Sequence, residues 1–531
     1  MDGKKRISGL KLALKTSVVS GMTLLSRILG LVRDVVFARF FGAGLIMDAF
    51  LVAQRIPNML RRFFAEGAFS AGFVPVMARY KERHDHDEAR EYLGAMAGTF
   101  GIVLFVVTLL GVIGAPLLVL IVAPGFVSDG GDFDLAVLML RFTFPYILFI
   151  SLTGLAGAML NNFGKFAVPA FTPVLLNVVM ISAAIWLEPL MPRPGLGLAL
   201  GVFLAGLVQL FFQLPFLRGI GMLPRPRWGW RDSGVRKIGR LMLPAIFGSS
   251  VAQINLLIDT LIASFLAAGS ITWLYYADRM MEFPLGVFGV ALATVILPGL
   301  SEQHAKKSRS DFSATLDWAL RLVALIVVPA AVALLVLAAP ILATLFFGGR
   351  FDAHDVAMSA YSLQAYSIGL LGFSLVKVLA PGYYSRQEMR TPVRIAVIAL
   401  LVNIVLNLLF VYTMIESGFS APHAGLALAT ALAAALNAIL LYRGLRKAGV
   451  YRPGDGWFWL VVRVGVASAA MALVLWQLAG PASTWLELAL SARIGRLAFC
   501  IVAGATAYFA VLAILGLRPR HLRGHAPGPD V

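Results

Sequence analysis

The chain has 531 residues, of which 59 % are hydrophobic and only 14 % are charged. Soluble proteins carry roughly 45–50 % apolar and about 25 % charged residues, so a mean hydropathy of +0.84 excludes an ordinary soluble enzyme. The formal net charge is +18. In so apolar a chain this excess indicates basic cytoplasmic loops of a membrane protein rather than nucleic-acid binding.

Twelve uncharged runs are long enough to cross about 30 Å of hydrocarbon, and two further apolar segments near the N-terminus are interrupted by charge. Together they predict an all-α polytopic membrane protein with about fourteen transmembrane helices. We expect the first apolar segment to be retained, because no small-residue cleavage site follows the basic start MDGKKR. The predicted spans are 17–41, 46–78, 92–128, 142–164, 166–187, 194–217, 241–258, 283–301, 322–349, 356–376, 395–415, 417–442, 464–486 and 497–517.

The charge of the loops predicts the orientation of these spans. With the N-terminus inside, the predicted cytoplasmic segments hold 30 Lys and Arg, whereas the predicted outer loops hold four. One error in the span count would invert every later loop and destroy this asymmetry. Both termini are therefore predicted to be cytoplasmic.

Two stretches of the chain resemble each other. Ala-Gln-Arg at 53–55 and Ala-Asp-Arg at 277–279 are each followed about twenty residues later by a proline, Pro75 and Pro298. An offset of six spans gives two lobes of the same orientation, the parallel repeat that builds transporters with a cavity between two bundles. The predicted domains are a lobe at 1–222, a lobe at 223–452, and two additional helices with a cytoplasmic tail at 453–531.

Several charges lie inside the predicted spans. Arg27 and Asp34 are seven residues apart and share a helix face, with Arg33 on a neighbouring face. Such a charge costs roughly 2.5–3.5 kcal/mol unless it is paired or faces water. Nearby acids are too few to neutralise Arg27, Arg33, Arg61 and Arg279, which predicts a hydrated cationic cavity. The guanidinium fork fits phosphate, so the predicted ligand is anionic.

A second interpretation stays open for the other charges of these helices. Arg55, Arg62 and Glu66 in the second span, and Asp278 and Glu282 in the eighth, could neutralise one another and fix helix packing. Their role is then structural.

A quieter polar set consists of Asp259 near the middle of the seventh span, Asn403 and Asn407 one turn apart in the eleventh, and Thr430 in the twelfth. Their oxygens suit a sodium ion or a proton, and they equally suit hydrogen bonds between helices. Both interpretations stay open at this point.

No catalytic motif emerges from the sequence. Walker A, HExxH and GxSxG patterns are absent, the seven histidines are scattered, and the single cysteine, Cys500, excludes a disulfide within the chain. A membrane glycosyltransferase would need a catalytic acid beside a sizeable outer loop, and an exporter of cationic drugs would need an acidic cavity. The sequence favours a transporter that is not an enzyme.

Four segments closely resemble the bacterial lipid II flippases, the MurJ or MviN family of the multidrug/oligosaccharidyl-lipid/polysaccharide exporter superfamily. They are SRILGLVRD at 26–34, GAGLIMDAFLVAQRIPNMLRRFFAEGAFSAGFVPV at 42–76, YYADRMMEFP at 275–284 and KVLAPGYYSRQEMRTPVRIA at 377–396. The resemblance implies two six-helix lobes, and two extra C-terminal helices that form a groove for a lipid tail. It implies translocation of undecaprenyl-diphosphate-linked disaccharide-pentapeptide, lipid II, to the outer leaflet of the inner membrane by alternating access, for peptidoglycan synthesis and cell shape. The alternative is a related exporter of another polyprenyl-diphosphate-linked oligosaccharide.

The resemblance also implies roles for particular residues. Substrate binding falls on Arg27, Arg33, Arg61 and Arg279. Other functionally sensitive family positions correspond to Asp34, Asp48, Asn58, Glu66 and Glu282. A sodium site of the family falls near Asp259, Asn403, Asn407 and Thr430.

The expected partners are lipid II, membrane lipids and, transiently, the cell wall synthesis machinery, with the chain acting as a monomer. No organic cofactor is expected. Sodium, protons and the membrane potential all stay open as the energy source.

Overall fold

The computed structural model describes residues 2–62, 86–127, 132–306 and 308–517. Within these ranges the regular structure is helical, apart from one isolated bridge between Gly348 and Phe351. The predicted all-α fold class is confirmed. The chain forms two compact units, Met1–Gly269 and Ser270–Val531. The predicted domain boundaries at 222/223 and 452/453 stay predictions.

The helices of the first unit are α1 Asp2–Phe41, α2 Leu45–Arg61, α3 His86–Ile113, α4 Ala115–Val122, α5 Asp132–Thr143, α6 Tyr146–Asn162, α7 Ala167–Ser182, α8 Leu196–Gly219 and α9 Ser233–Ala263. The helices of the second unit are α10 Ser270–Ala305, α11 Arg309–Val336, α12 Ala338–Leu345, α13 Ala353–Tyr384, α14 Arg390–Glu416, α15 Ala424–Lys447, α16 Trp457–Ala479, α17 Ala482–Glu487 and α18 Leu490–Ile514. Short 3-10 or π turns cover Pro124–Val127, Ala183–Leu187 and Glu188–Leu190.

Ten helical segments among the described residues are long and apolar enough to cross a membrane. They coincide with the third to sixth and the ninth to fourteenth predicted spans. The remaining four predicted spans fall on α1, α2, α9 and α10, the helices that carry the charges discussed above. The chain is therefore a multi-pass membrane protein. The second half of the predicted second span, with Glu66 and Pro75, lies outside the described residues.

Several helices differ from the uncharged runs that predicted them. The run 92–128 is two helices, because the chain breaks at Gly114 and Pro116 begins the next helix without a backbone donor. The run that starts at 322 belongs to a helix that begins at Arg309, after the cap Ser308. Charged residues continue these helices beyond the apolar part, so an uncharged run underestimates their length.

Close helix contacts build the second unit around α13. A Cβ on Gly369 would meet the Cα of Ala431 at 2.5 Å, and one on Gly372 would meet the backbone nitrogen of Ala435 at 2.7 Å. Only glycine permits this approach of α13 to α15, the packing device typical of membrane helices.

Asp317 on α11 bonds to the segment that leads into the two C-terminal spans. Its Oδ1 accepts hydrogen bonds from Tyr451 Oη at 2.7 Å, from Trp457 Nε1 at 2.7 Å and from the backbone of Gly454 at 3.1 Å. Its Oδ2 accepts from Arg321 Nε at 2.6 Å. Asp317 thereby fixes the segment that enters α16, the first of the two additional helices.

Candidate functional site

The arginines of α1 differ sharply in their surroundings. Arg33 is 8 % exposed and Asp34 is fully buried. Arg33 donates from Nε at 3.1 Å and from Nη2 at 2.7 Å to Oδ1 of Asp34, and from Nη1 to Oδ1 of Asn177 at 3.2 Å. The acid on α1 is thus neutralised by its sequence neighbour, not by the residue two turns away on its own face.

Asn177 completes this cluster and was not singled out by the sequence analysis. It lies on α7, and its Nδ2 donates to the carbonyl of Ser26 at 3.0 Å. One amide therefore ties α7 both to the backbone of α1 and to the guanidinium of Arg33. The only signal in the sequence is an asparagine within an apolar helix, which is weak because such residues commonly bond neighbouring helices.

Arg27, two turns before Asp34, is exposed. No hydrogen bond or ion pair joins it to another described residue, in contrast to the Arg33 cluster on the same helix. An exposed guanidinium on a membrane helix can present its planar fork to an anion.

The charges of α2 make contacts within the first unit. Asp48 is buried, and its Oδ2 accepts from the backbone of Gly269 at 2.7 Å. Arg55 donates to the carbonyl of Leu256 at 3.1 Å and to the hydroxyl of Thr260, near the end of α9. These two residues fix α2 against neighbouring segments, which favours the structural interpretation for Arg55.

The end of α2 carries the remaining site candidates of the first unit. Asn58 and Arg61 are partly buried, and Arg62 is exposed. Glu66 lies outside the described residues. Arg61 therefore lies at the edge of the described segment, and its role as a ligand of the substrate stays a prediction.

In the second unit, Arg279 lies on α10 and pairs loosely with Glu282 one turn later. The Nη1–Oε2 distance is 3.6 Å, and the side chains are 37 % and 53 % exposed. Lys377 on α13 is also exposed. A pair of this geometry contributes little to stability.

The predicted cation-binding residues divide between the two units. In the first unit, Asp259 is buried and accepts from Asn255 Nδ2 at 3.3 Å. It lies in the last turn of α9, not near the middle of a span as the sequence suggested, because α9 ends at Ala263.

In the second unit, the predicted asparagines form a chain of hydrogen bonds. Asn407 Nδ2 donates to Asn403 Oδ1 at 3.0 Å, and Asn403 Nδ2 donates to Thr430 Oγ1 at 3.1 Å. These bonds join α14 to α15. Among the described residues, no group of three or more His, Cys, Asp or Glu is arranged to hold a metal ion.

The fold defines a class, the all-α polytopic membrane proteins. The model of the family "Lipid II flippase MurJ" matches residues 37–494. The chain belongs to this family.

Curated relatives agree over nearly the whole length. The chain is 50 % identical to the "Probable lipid II flippase MurJ" of Vibrio cholerae, covering 95 % of this chain and 96 % of the relative. It is 44 % identical to the "Lipid II flippase MurJ" of Burkholderia cenocepacia, covering 96 % and 98 %.

Solved structures show the same fold. A lipid II flippase MurJ in an inward closed conformation matches with a TM-score of 0.77 and 26 % identity, covering 93 % of this chain and 98 % of that one. A multidrug transporter of the MATE family, inward-facing, matches with a TM-score of 0.63 at 14 % identity, covering 82 % and 98 %. The second likeness concerns the fold alone.

Proposed function

We propose that this protein translocates lipid II from the inner to the outer leaflet of the bacterial cytoplasmic membrane for peptidoglycan synthesis. Alternating access of a cationic cavity carries the diphosphate head group. The observation that carries this proposal is Arg27, an exposed guanidinium without a described partner on a membrane helix of a chain from the lipid II flippase family. The related exporter of another polyprenyl-diphosphate oligosaccharide is not favoured, because the relatives that match over the whole chain are lipid II flippases.

The proposed substrate ligands are Arg27, Arg33, Arg61 and Arg279. The hydrogen bonds described above give them different tasks. In this proposal, Arg27 and Arg279 each contact the diphosphate directly. Arg33, already bonded to Asp34 and Asn177, holds the helix that carries Arg27.

Reconstituted vesicles containing fluorescent lipid II test this function. Lipid II that reaches the opposite leaflet becomes accessible to an impermeant quencher, and the wild-type protein should speed this exposure. Arg27→Ala should slow it roughly ten- to hundredfold, the effect of losing one hydrogen bond to a charged group. Arg27→Lys should recover only part of the rate, because ammonium lacks the planar fork.

Arg394→Ala is the matched control, because Arg394 is an exposed arginine on another membrane helix, α14. It should transport at the wild-type rate. Absence of transport by the wild-type protein contradicts the proposed function, and equal loss in both variants contradicts the role of Arg27.

The proposed orientation places both termini in the cytoplasm. Contacts within each unit support the predicted alternation of loops. Gly125 donates from its backbone to Ser264 Oγ at 3.0 Å, and Arg493 donates to the carbonyl of Ala343 at 2.8 Å. Each contact joins two segments that the loop charges assign to the outer side.

Single cysteines in a Cys500→Ser background test the orientation, since Cys500 is buried. Impermeant thiol reagents should label the predicted outer positions Arg193, Arg350 and Ser420. The predicted inner positions Lys306, Met389 and Ala448 should stay unlabelled in intact cells. Labelling of the inner positions with protection of the outer ones would show the opposite orientation and contradict the proposal.

We also propose that the protein binds a sodium ion. The ion is bound by Asp259 or by the set of Asn403, Asn407 and Thr430. Carboxylate, amide and hydroxyl oxygens suit hard cations. The hydrogen bonds between α14 and α15 support the rival structural role of the second set. A sodium-dependent rise in thermal midpoint that Asn403→Ala abolishes supports the cation, and an equal midpoint in sodium and choline supports the rival.

The protein is further proposed to act as a monomer, with transient contacts to the cell wall synthesis machinery.

A further inference from the structure

The segment between α8 and α9 concentrates positive charge and tryptophan. Residues 220–232, which we call the basic connection, read IGMLPRPRWGWRD and begin directly after α8 ends at Gly219. The basic residues of the connection and its flanking turns are Arg218, Arg225, Arg227, Arg231, Arg236, Lys237 and Arg240. Asp232 is the sole acid between positions 218 and 240.

Backbone contacts hold the basic connection against α3. Arg227 donates from its backbone to the carbonyl of Gly94 at 2.9 Å, and Gly229 donates to Thr99 Oγ1 at 2.9 Å. A Cβ on Gly94 would meet the carbonyl oxygen of Arg225 at 2.4 Å. The connection therefore lies in a groove that glycine creates on α3, and its conformation is fixed by the first unit.

The connection turns its two tryptophans outward. Trp228 is 58 % exposed and Trp230 is 53 % exposed, with their rings stacked at 6.2 Å between centroids. Arg236 Nε donates to the carbonyl of Trp230 at 3.1 Å, so α9 fixes the turn that presents the rings. Two large rings held in an exposed position in the connection that follows a membrane helix are typical of the headgroup region, where tryptophan is enriched.

The positive charge beside these rings is largely uncompensated. Asp232 is committed to the start of α9, where its Oδ1 accepts from the backbone of Gly234 at 2.7 Å. Glu91 pairs with Arg227. Arg225, Arg231 and Lys237 are exposed, and basic residues near an anionic membrane surface are attracted to it.

We propose that the basic connection binds the headgroups of anionic phospholipids. Trp228 and Trp230 insert at the membrane interface, and Arg225, Arg231 and Lys237 contact the lipid phosphates. Charge complementarity, the rigid display of the rings and the position directly after a membrane helix all favour a membrane lipid as the occupant. None of its residues is among the arginines proposed to bind the transported substrate.

Brominated lipids test this site in nanodiscs that contain the full chain. The fluorescence difference between wild type and a W228F/W230F variant isolates the two rings. Brominated phosphatidylglycerol in a phosphatidylcholine background should quench that difference at a several-fold lower mole fraction than brominated phosphatidylcholine. The substitutions R225Q, R231Q and K237Q, made together in both backgrounds, should raise the half-quenching mole fraction of phosphatidylglycerol several-fold, to the value of phosphatidylcholine.

The matched control removes three exposed basic residues from the end of α15, with R443Q, R446Q and K447Q made together. This control should leave the half-quenching mole fraction unchanged. Equal quenching by both lipids in the wild type overturns the proposal, as does an equal effect of the control. Quenching by neither lipid also overturns it, since the rings would then contact something other than the membrane. If the triple variant has a lowered thermal midpoint, R225Q and R231Q alone should each shift the half-quenching point in the same direction.

Discussion

The two units place their polar groups in different settings. On α1 of the first unit, a buried ion pair between Arg33 and Asp34 lies beside an exposed Arg27 that has no described partner. In the second unit, Asn403 and Asn407 bond to each other and across to α15 through neutral groups. A polar group whose partners lie in its own unit contributes to stability, whereas an exposed cation remains available to a ligand. The position of a charge in a span therefore does not by itself identify a binding residue.

The largest expected loss of stability follows removal of Asp34. Asp34→Ala leaves the guanidinium of Arg33 buried without its carboxylate, and breaking a buried pair on one side costs about 3–5 kcal/mol. The thermal midpoint of the purified protein should fall steeply. Asp311→Ala is the control, because Asp311 is an exposed acid in the first turn of α11. Replacing both partners, as in Arg33→Met with Asp34→Leu, should recover part of the loss. An Asp34→Ala protein as stable as wild type would contradict the buried pair.

Overpacking of the second unit should have the next largest effect. Gly372→Val places a branched side chain where even a Cβ meets the backbone of Ala435 at 2.7 Å. The expected cost is about 1–3 kcal/mol, measured as a lower thermal midpoint. Gly465→Val is the matched control, since Gly465 lies in α16 with open space around it. Equal midpoints for the two variants would show that α13 and α15 do not pack this closely.

Much of the fold could be predicted because the apolar runs are long and the loop charges alternate. The ends of helices could not, since charged residues such as Asp317 and Arg321 lie within α11 beyond the apolar run. The hydrogen-bond partners of the charged side chains were harder still to predict. Helical spacing placed Arg27 on the face of Asp34, yet it is Arg33 that contacts the carboxylate, because its side chain is long. The other partner of Arg33 is Asn177, on a helix more than 140 positions away in the sequence. Spacing along one helix reports shared faces and does not report which side chains meet.

A buried histidine gives the second unit a pH dependence. His423 lies just before α15, and its Nε2–H donates to the carbonyl of Met358 at 3.1 Å beside the ring of Trp273. Burial lowers the pKa of His423 to about 4. Because the unfolded chain has a pKa near 6.5, it binds more protons than the folded state between about pH 6.5 and pH 4. Stability should therefore fall as the pH falls through this window.

Thermal midpoints at pH 7 and pH 5 check this expectation. The wild type should lose on the order of 2 kcal/mol at pH 5, and His423→Gln should lose less because glutamine cannot gain a proton. His354→Gln is the control, since His354 is exposed beside the same Trp273. Identical pH dependence in all three proteins would place the titrating group elsewhere.

The smallest effect on stability, paired with a distinct effect on binding, is expected at Arg279. Its pair with Glu282 is long and half exposed, and such pairs are worth less than about 1 kcal/mol. A comparison pair lies at the end of α10, where Lys306, directly after the helix, contacts Glu302 at 2.8 Å and both side chains are more exposed, at 61 % and 59 %. Arg279→Gln and Lys306→Gln should therefore both leave the thermal midpoint nearly unchanged.

Only Arg279→Gln should weaken the binding of lipid II to the purified protein, roughly ten- to hundredfold, because it removes a charge-assisted hydrogen bond to phosphate. Equal weakening by the two Gln variants at Arg279 and Lys306 would mean that lipid II responds to overall charge. Recovery of Arg279→Gln by an added Glu282→Gln would mean that the pair serves packing.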